Sequence, residues 1–402
     1  MNHAPQRADR AATRHVVLLV ETSVEYGRQI LRGIARYLRT HRGWSVFLEE
    51  RELDAPPPDW LQEWAGDGII CRPTTRALAD SFRRRNIPFV DLSDRYSELG
   101  QPHLESDMEA IGRLGAEHLL ERGFRNLAFC GFSNELWAAR RRRGFEEVAA
   151  RRGRLHPAHE SSWLGLRDHP WQEERDRIRR WLETLPRPLG VMACNDVRGQ
   201  HVLDACRQLG AAVPDDIAVI GVDNAETFCE LCDPPLSSVI PDAERLGFAA
   251  AERLDRLMAG ETPPPARPFP PLGVATRQSS DGLAIADRVV ARAVRLIRDH
   301  ACQGLRVADL LRQLPYSRPV LERRFRSCLQ RSPQQEIHRV RLARARQLLA
   351  ETDWPLKRVA EAAGFAHPEY FNVFVKRETG LTPRGLRNRL AISRDAPMVP
   401  VP

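Results

Sequence analysis

The stretch PLKRVAEAAGFAHPEYFNVFVKRETGLTP, residues 355–383, predicts two short helices separated by a tight turn. Gly364 ends the first helix, because glycine adopts the left-handed conformation without a Cβ penalty. The second helix begins at His367–Pro368. Its inward side is apolar and consists of Phe371, Phe374 and Val375. Two helices at a sharp turn with a polar outer side are typical of a reader of the DNA major groove. Taken alone, such a segment is more often an ordinary helical hairpin.

The same pattern occurs earlier, in residues 305–325, LRVADLLRQLPYSRPVLERRF. Pro315 breaks the first helix, and the hydroxyl of Ser317 is expected to cap the second. Leu321 and Phe325 anchor the second helix at positions i and i+4. A long helical stretch, residues 333–350, joins the two units. Two helix-turn-helix units on one connecting helix can contact two places on one face of DNA.

Polar side chains on the outer face of each second helix are the candidates for DNA contact. The full set is Arg318, Glu322, Arg323, His367, Glu369, Asn372, Lys376 and Arg377. Glu322, Arg323, Glu369 and Asn372 are expected near base edges. Arginine is suited to bidentate contacts with phosphate and with guanine. Lys376 and Arg377, further along, are better placed for phosphates. The helical periodicity set by Leu321 and Phe325 also leaves Arg324 on the outer side of the first of these helices.

The positive charge of the chain is concentrated in this segment. The 402 residues carry a net charge of +8, and residues 286–392 hold 22 lysines and arginines against 10 aspartates and glutamates. The remainder is slightly acidic, with 39 against 43. A basic excess restricted to one helical domain is expected for binding a polyanion. No membrane partner is expected, because the bulky apolar residues of this domain are needed for its core.

This segment resembles the C-terminal domain of the AraC/XylS family of transcription regulators. The resemblance implies an all-α domain with two helix-turn-helix units that binds operator or promoter DNA. The matching residues are Ser317, Leu321, Arg324, Phe325, Pro333, Arg341, Leu342, Ala345, Leu348, Leu349, Val359, Ala360, Gly364, Phe365, Phe371, Lys376, Gly380, Leu381, Thr382 and Pro383.

The first part of the chain alternates short apolar runs with amphipathic segments. Strands are predicted at residues 15–20, 44–49, 68–71, 88–92, 126–130, 190–194 and 216–221, with a further strand at 272–276. This alternation predicts parallel sheets covered by helices on both faces. Ligands in such folds collect at the carboxyl ends of the strands, often between two domains.

Polar residues directly follow several predicted strands, and an arginine lies early in a helix. They are Glu21, Thr22, Ser23, Tyr26, Arg72, Arg141, Asn195 and Asp223. Sugar hydroxyls both donate and accept hydrogen bonds, so carboxylates, amides and guanidinium groups suit a polyol. Any one of these residues could instead cap a helix or form a turn. Their shared position predicts one binding pocket.

This part resembles the sugar-sensing domain of the lactose- and galactose-repressor family, itself similar to periplasmic sugar-binding proteins. The resemblance implies a two-lobed fold in which the counterparts of Arg141, Asn195 and Asp223 contact the sugar. The matching residues are Ser106, Asp107, Gly115, Leu119, Leu120, Gly123, Arg141, Gly144, Phe145, Cys194, Asn195, Asp196, Val213 and Pro214, with the stretches 220–224 and 236–239.

The order of a sugar sensor followed by an AraC-type domain resembles the family of regulators that control xylose operons, almost from end to end. Shared stretches include residues 26–29, 66–68, 181–186, 299–302 and 321–325. The resemblance implies a homodimeric activator of pentose catabolism genes that contacts RNA polymerase and takes a pentose, xylose in the first instance, as effector. Departures at residues 21–23 and 71–73 leave a different sugar open. The same architecture could also repress.

No enzyme signature is present: no dinucleotide-binding G-x-G-x-x-G after a strand, no P-loop and no H-E-x-x-H zinc motif. No catalytic role, cofactor or metal is therefore expected. The eight cysteines are scattered, and Cys229 and Cys232 lack the second ligand pair of a zinc site. The chain has no apolar run of about 18 residues and no secretory signal, so the cytoplasm is the expected location.

The predicted fold class is an α/β two-lobed sensor of the type I periplasmic-binding-protein kind, followed by an all-α AraC-type domain. Disordered tails are expected at residues 1–13 and 393–402. Between them we expect a sensor at residues 14–276, a linker at 277–285 and a DNA-binding domain at 286–392.

Overall fold

The computed structural model describes residues 13–41, 43–50, 58–94, 103–162, 171–282 and 287–388. The chain divides into two compact units, Met1–Gly282 and Leu283–Pro402. This division falls inside the segment predicted as a linker, residues 277–285. The predicted tail at 393–402, and all but the last residue of the tail at 1–13, lie outside the described residues.

The first unit alternates strands and helices. In chain order it contains β1 (Arg14–Leu19), α1 (Glu25–Thr40), β2 (Trp44–Leu48), β3 (Gly68–Cys71), α2 (Arg76–Arg84), β4 (Phe89–Asp91), α3 (Met108–Glu121), β5 (Asn126–Ser133), α4 (Leu136–Arg152), β6 (Arg154–Leu155), β7 (His159–Ser162), α5 (Trp171–Glu183), β8 (Leu189–Ala193), α6 (Asp196–Leu209), β9 (Ile217–Val222), α7 (Glu226–Leu231), β10 (Ser237–Ile240), α8 (Ala243–Met258) and β11 (Gly273–Ala275). Every strand predicted from the sequence is present. The sequence pattern misses β6, β7 and β10, which are too short or too polar to stand out.

Two sheets form the two lobes of this unit. In the described part of the chain, one sheet has the strand order β2-β1-β3-β4 and the other the order β11-β10-β9-β8-β5-β6, with β7 also paired to β5. Neighbouring strands are parallel except for the β10–β11 pair. The helix α8 returns to the first lobe and packs on α1. Ser106 and Phe269 form a bridge between two of the segments that cross from lobe to lobe. The predicted two-lobed α/β fold is confirmed.

The central strands of each sheet are the most deeply buried parts of the first unit. All residues of β3, β8 and β9 are buried, because a parallel sheet is covered by helices on both faces.

All eight cysteines of the chain are free thiols. No helix within the described ranges is long and apolar enough to cross a lipid bilayer.

The second unit is helical. It contains α9 (Arg288–His300), α10 (Val307–Gln313), α11 (Arg318–Leu329), α12 (Pro333–Glu351), α13 (Leu356–Ala362) and α14 (Pro368–Thr379). Two apolar cores form, one around α9 to α11 and one around α13 and α14. The connecting helix α12 contributes Ile337 to the first core and Leu348 to the second. Gly364 takes the predicted left-handed conformation, with φ of +84°. The two predicted helix-turn-helix units are confirmed.

Two predictions about the first helix-turn-helix unit are wrong. Ser317 occupies the N-cap position of α11, but its side chain makes no capping hydrogen bond. Arg324 is not directed outward: it donates to the carboxylate of Asp287 at 2.9 and 3.1 Å, and its guanidinium lies 4.8 Å from the centre of the Tyr316 ring. Because Asp287 caps α9, this arginine ties α11 to the start of α9.

Candidate functional site

A cavity of about 130 Å³ lies between the two lobes of the first unit, and side chains from both lobes line it. It sits where the carboxyl ends of the strands meet, as expected for parallel sheets. Most of its polar lining comes from the residues that directly follow β1, β3, β4, β8 and β9.

On the wall from the first lobe, Arg72 is the central group. It is buried, and it forms ion pairs with Glu21 and, at 2.7 Å, with Asp94. Its guanidinium lies 4.7 Å from the centre of the Tyr26 ring. The Tyr26 hydroxyl in turn shares a 2.7 Å hydrogen bond with the hydroxyl of Ser106. The arginine is therefore fixed in position before any ligand arrives.

On the wall from the second lobe, Arg141 holds the corresponding position. Its Nη1 donates to the carbonyl oxygen of Cys194 at 2.7 Å, and its Nη2 donates to Oδ1 of Asp223 at 3.1 Å. Arg141 lies on α4, which packs closely on α3. Gly112 and Gly144 permit this approach, since a Cβ at either would collide with the backbone of the facing helix. Close helix packing thus places the guanidinium beside the cavity.

The loop after β9 has an unusual backbone. Asp223 and Asn224 have positive φ values, +100° and +47°, which are rare for residues other than glycine. Asp196, buried beneath this loop, accepts hydrogen bonds from the Ala225 N–H at 2.8 Å and from the Ser238 hydroxyl at 2.6 Å. Such strain persists only where the surroundings impose it. The buried carboxyl therefore holds Asp223 in its position at the cavity.

Contacts on each side of the cavity also define the role of two amide side chains. Gln29, on α1 of the first lobe, donates from Nε2 to the carbonyl oxygen of Asp223 at 2.9 Å, which links the two lobes directly. Asn195 caps α6, because its Oδ1 accepts from the N–H of Arg198 at 2.9 Å. That capping bond uses the oxygen of Asn195 and not its NH2 group.

The electrostatics of the cavity favour a neutral polar ligand. Burial, together with the nearby Asp223 carboxylate, raises the pKa of Asp196 to about 7. Burial also raises the pKa of Asp223, while Arg141 opposes the shift. The Nε atoms of Arg72 and Arg141 meet no acceptor within the described part of the chain. Donors and acceptors beside the rings of Tyr26 and Trp137 suit a small polyol.

Six of the eight residues predicted for this site line the cavity: Ser23, Tyr26, Arg72, Arg141, Asn195 and Asp223. The other two do not line it. Glu21 is paired with Arg72, and the carbonyl oxygen of Thr22 accepts from Arg28 at 2.8 Å.

Asp94, Asp196, Trp137 and Phe228 line the cavity as well, and of these Trp137 and Phe228 were not predicted as site residues. Asp94 and Asp196 are carboxylates that follow the end of a strand, which is the sequence pattern of the predicted site residues. A single aromatic residue in a helix carries no such signal, because it is usually part of a core.

The segment that follows β11 is packed into the first unit. Residues Gln278–Ser280 form a short 3-10 helix in which Ser279 and Ser280 are fully buried. The Ser279 hydroxyl donates to the carbonyl oxygen of Val219 at 2.7 Å, and Ser280 shares a 2.6 Å hydrogen bond with His118. The first residues of the predicted linker are therefore attached to the sheet of the second lobe.

In the second unit, seven of the eight residues predicted for DNA contact lie on α11 or α14, and His367 is the N-cap residue directly before α14. Seven are exposed, and Glu322 is half-buried. Arg318 pairs with Glu322 at 3.0 Å, one helical turn along α11. The predicted inward side of α14 is buried, with Phe371, Phe374 and Val375 each no more than 1% exposed. Both helices thus present a largely polar face to solvent, which on α14 also includes the exposed apolar side chains of Tyr370 and Val373.

Comparison with protein families matches three consecutive parts of the chain. Residues 15–104 match the XylR N-terminal domain, residues 116–280 match a periplasmic binding protein-like domain, and residues 310–389 match a helix-turn-helix domain. The order of the three agrees with the two lobes and the helical unit described above.

Individual relatives match over nearly the whole chain. The xylose operon regulatory protein of Escherichia coli (strain K12) is 32% identical, with 93% of this chain and 97% of the relative covered. Its namesake from Haemophilus influenzae is 29% identical, with 92% and 97% covered. A solved structure described as the xylose-binding transcription activator xylR is 30% identical, with a TM-score of 0.58 and with 94% and 98% of the two chains covered.

Proposed function

This chain belongs to the family of xylose operon regulatory proteins, which are sugar-sensing transcription regulators, and on that premise we propose that it activates pentose catabolism genes when D-xylose binds in the cavity between its lobes. The observation that carries the proposal is the pair of buried arginines on facing walls, Arg72 beside Asp94 and Arg141 beside Asp223. A sugar with vicinal hydroxyls can bond to a guanidinium and a carboxylate at once on each wall.

Sugar binding between two lobes favours the closed arrangement of those lobes. A ligand shifts such an equilibrium only through its different affinity for the two states. Hydroxyls bonded to Arg72 and Arg141 at the same time provide that difference, because the two arginines belong to different lobes. Ser23, Tyr26, Asn195 and the ring of Trp137 complete the proposed contact set.

On the DNA side, we assign α11 and α14 to successive major grooves, about 34 Å apart along the duplex. Glu322, Arg323, Glu369 and Asn372 face base edges in this assignment. Lys376 and Arg377 contact phosphates, as do the flanking residues Arg318 and His367. One chain then covers one half of an operator, and a homodimer covers both halves.

The wider proposal places the protein in the cytoplasm, as a homodimer at a promoter where it contacts RNA polymerase, with no catalytic activity of its own. A second candidate keeps the architecture but changes the effector or the sign of regulation. The departures from the family pattern at residues 21–23 and 71–73 favour this alternative, since Ser23 and Arg72 line the cavity.

Calorimetry of the full chain with D-xylose, L-arabinose, D-ribose and D-glucose tests the effector. We expect D-xylose to bind most tightly. A clear preference for another sugar would identify that sugar as the effector instead. A reporter gene behind the regulator's own promoter region tests the sign of regulation. Expression should rise with xylose and require the protein; higher expression in its absence would identify a repressor.

A further inference from the structure

The helices α11 and α14 are structural repeats of each other. Each has twelve residues and ends at a residue in the left-handed conformation, Gln330 and Gly380 respectively. The buried anchors also correspond, because Leu321 and Phe371 occupy the same place in the two helices and are both 0% exposed. Positions on the two outer faces can therefore be compared one to one.

At one of these equivalent positions the two helices differ in chemistry. Arg323 of α11, predicted to contact base edges, corresponds to Val373 of α14. Val373 is 64% exposed. At 100° per residue it lies opposite the buried side formed by Phe371 and Val375. An exposed valine at this place contributes nothing to the core, and valine is a weaker helix former than alanine or lysine.

We propose that Val373 recognises thymine through apolar contact with its C5-methyl group, at the place where Arg323 recognises guanine in the other half of the site. This inference rests on the proposed function of α14 as a reader of the major groove. Among the four bases only thymine presents a methyl group there. The adjacent Asn372, also exposed, suits adenine. The second helix-turn-helix unit would then prefer A·T pairs and the first unit G·C pairs.

The test begins with selection of a binding site by the full chain from a random DNA library. Each thymine of the selected site is then replaced in turn by deoxyuridine, which removes the methyl group and nothing else. For wild-type protein we expect one replacement to weaken binding about fourfold, the effect of one buried methyl-sized group. With Val373→Ala the same replacement should have no effect.

Two controls isolate the residue. Arg323→Ala should weaken binding but keep the fourfold effect of that deoxyuridine. Leu231→Ala removes another exposed apolar side chain, 80% exposed in the first unit, and should change neither quantity. The inference is overturned if no deoxyuridine replacement weakens wild-type binding, or if the effect persists in Val373→Ala. If the selection enriches no sequence, the proposed function as a sequence-specific DNA-binding protein is itself contradicted.

Discussion

Arg277 donates from Nη2 to the side-chain oxygen of Asn224 at 2.9 Å. Asn224 belongs to the strained loop that also carries Asp223 at the cavity. Arg277 directly precedes the short 3-10 helix Gln278–Ser280, close to the boundary of the first unit at Gly282. Its Nη1 donates to the carbonyl oxygen of Leu236 at 3.0 Å, and its backbone N–H donates to the Ser237 hydroxyl at 2.8 Å. The Arg277 guanidinium therefore connects the loop beside the cavity to the segment that leads to the second unit.

Arg277→Ala should separate sugar binding from the response on DNA. The affinity for xylose, measured by calorimetry, should change little because Arg277 does not line the cavity. The effect of xylose on operator affinity should fall from the 5- to 150-fold range typical of allosteric coupling to about onefold. Fluorescence anisotropy on labelled operator, with and without xylose, measures this change in operator affinity.

Arg207→Ala is the matched control, because Arg207 also bonds to a neighbouring loop, through Asp233, but is exposed. It should keep the full response to xylose. Coupling that survives Arg277→Ala unchanged would show that the signal leaves the first unit by another route.

Asp223→Ala should abolish most of the affinity for xylose. A hydrogen bond to a charged group contributes about 1.5 to 3 kcal/mol, so the dissociation constant should rise about 10- to 150-fold. Asp223→Asn, which keeps an acceptor, should lose less. Circular dichroism should show an intact fold in both variants, since Arg141 retains its bond to the carbonyl oxygen of Cys194. Unchanged affinity in calorimetry would remove Asp223 from the site.

Arg323→Ala and Lys376→Ala should weaken DNA binding in different ways. The first should cost about 1 to 3 kcal/mol on the operator and relax specificity at one base pair. The second should weaken binding to all sequences alike and reduce the slope of log affinity against log salt by about 0.9. Titrations on operator and random DNA at several salt concentrations distinguish them. Equal losses on both DNAs for Arg323→Ala would assign it to the phosphates.

Asp196 should make the stability of the first unit depend on pH. Burial holds its folded pKa at about 7, above the unfolded value of about 3.9. The folded state then binds the proton more tightly, so the stabilisation is fully present below the unfolded pKa and is lost as pH rises through about 7. The groups that face this carboxyl are the Ser238 hydroxyl, the Ala225 N–H, Asp223 and the Cys229 thiol.

Asp196→Asn removes this ionisation while keeping an acceptor for the Ala225 N–H. Urea denaturation at pH 5.5 and pH 8 should show the wild-type protein losing stability relative to the variant at the higher pH. If the difference between the two proteins stays constant over this range, Asp196 does not titrate there.

The sequence by itself determined the local elements of this protein and the general position of its site. The turn at Gly364 and the inward set of Phe371, Phe374 and Val375 follow from helical periodicity and from the freedom of glycine at positive φ, both of which are properties of neighbouring residues. The position of Asn195 and Asp223 at one place follows as well, because they come after neighbouring parallel strands, which end at the same edge. That Arg72 faces them was expected from the resemblance to two-lobed sensors.

Only the tertiary structure decided which partner each polar group takes. Glu21 and Asp94 both follow strands, yet Asp94 lines the cavity and Glu21 does not. Arg324 turns to Asp287, 37 residues earlier, and Arg277 bonds to Asn224, 53 residues earlier. The physical reason is that an arginine can occur in the same kind of local sequence whether its guanidinium faces DNA, a ligand or a carboxylate. Its partner is set by how distant segments pack, and periodicity carries no information about that packing.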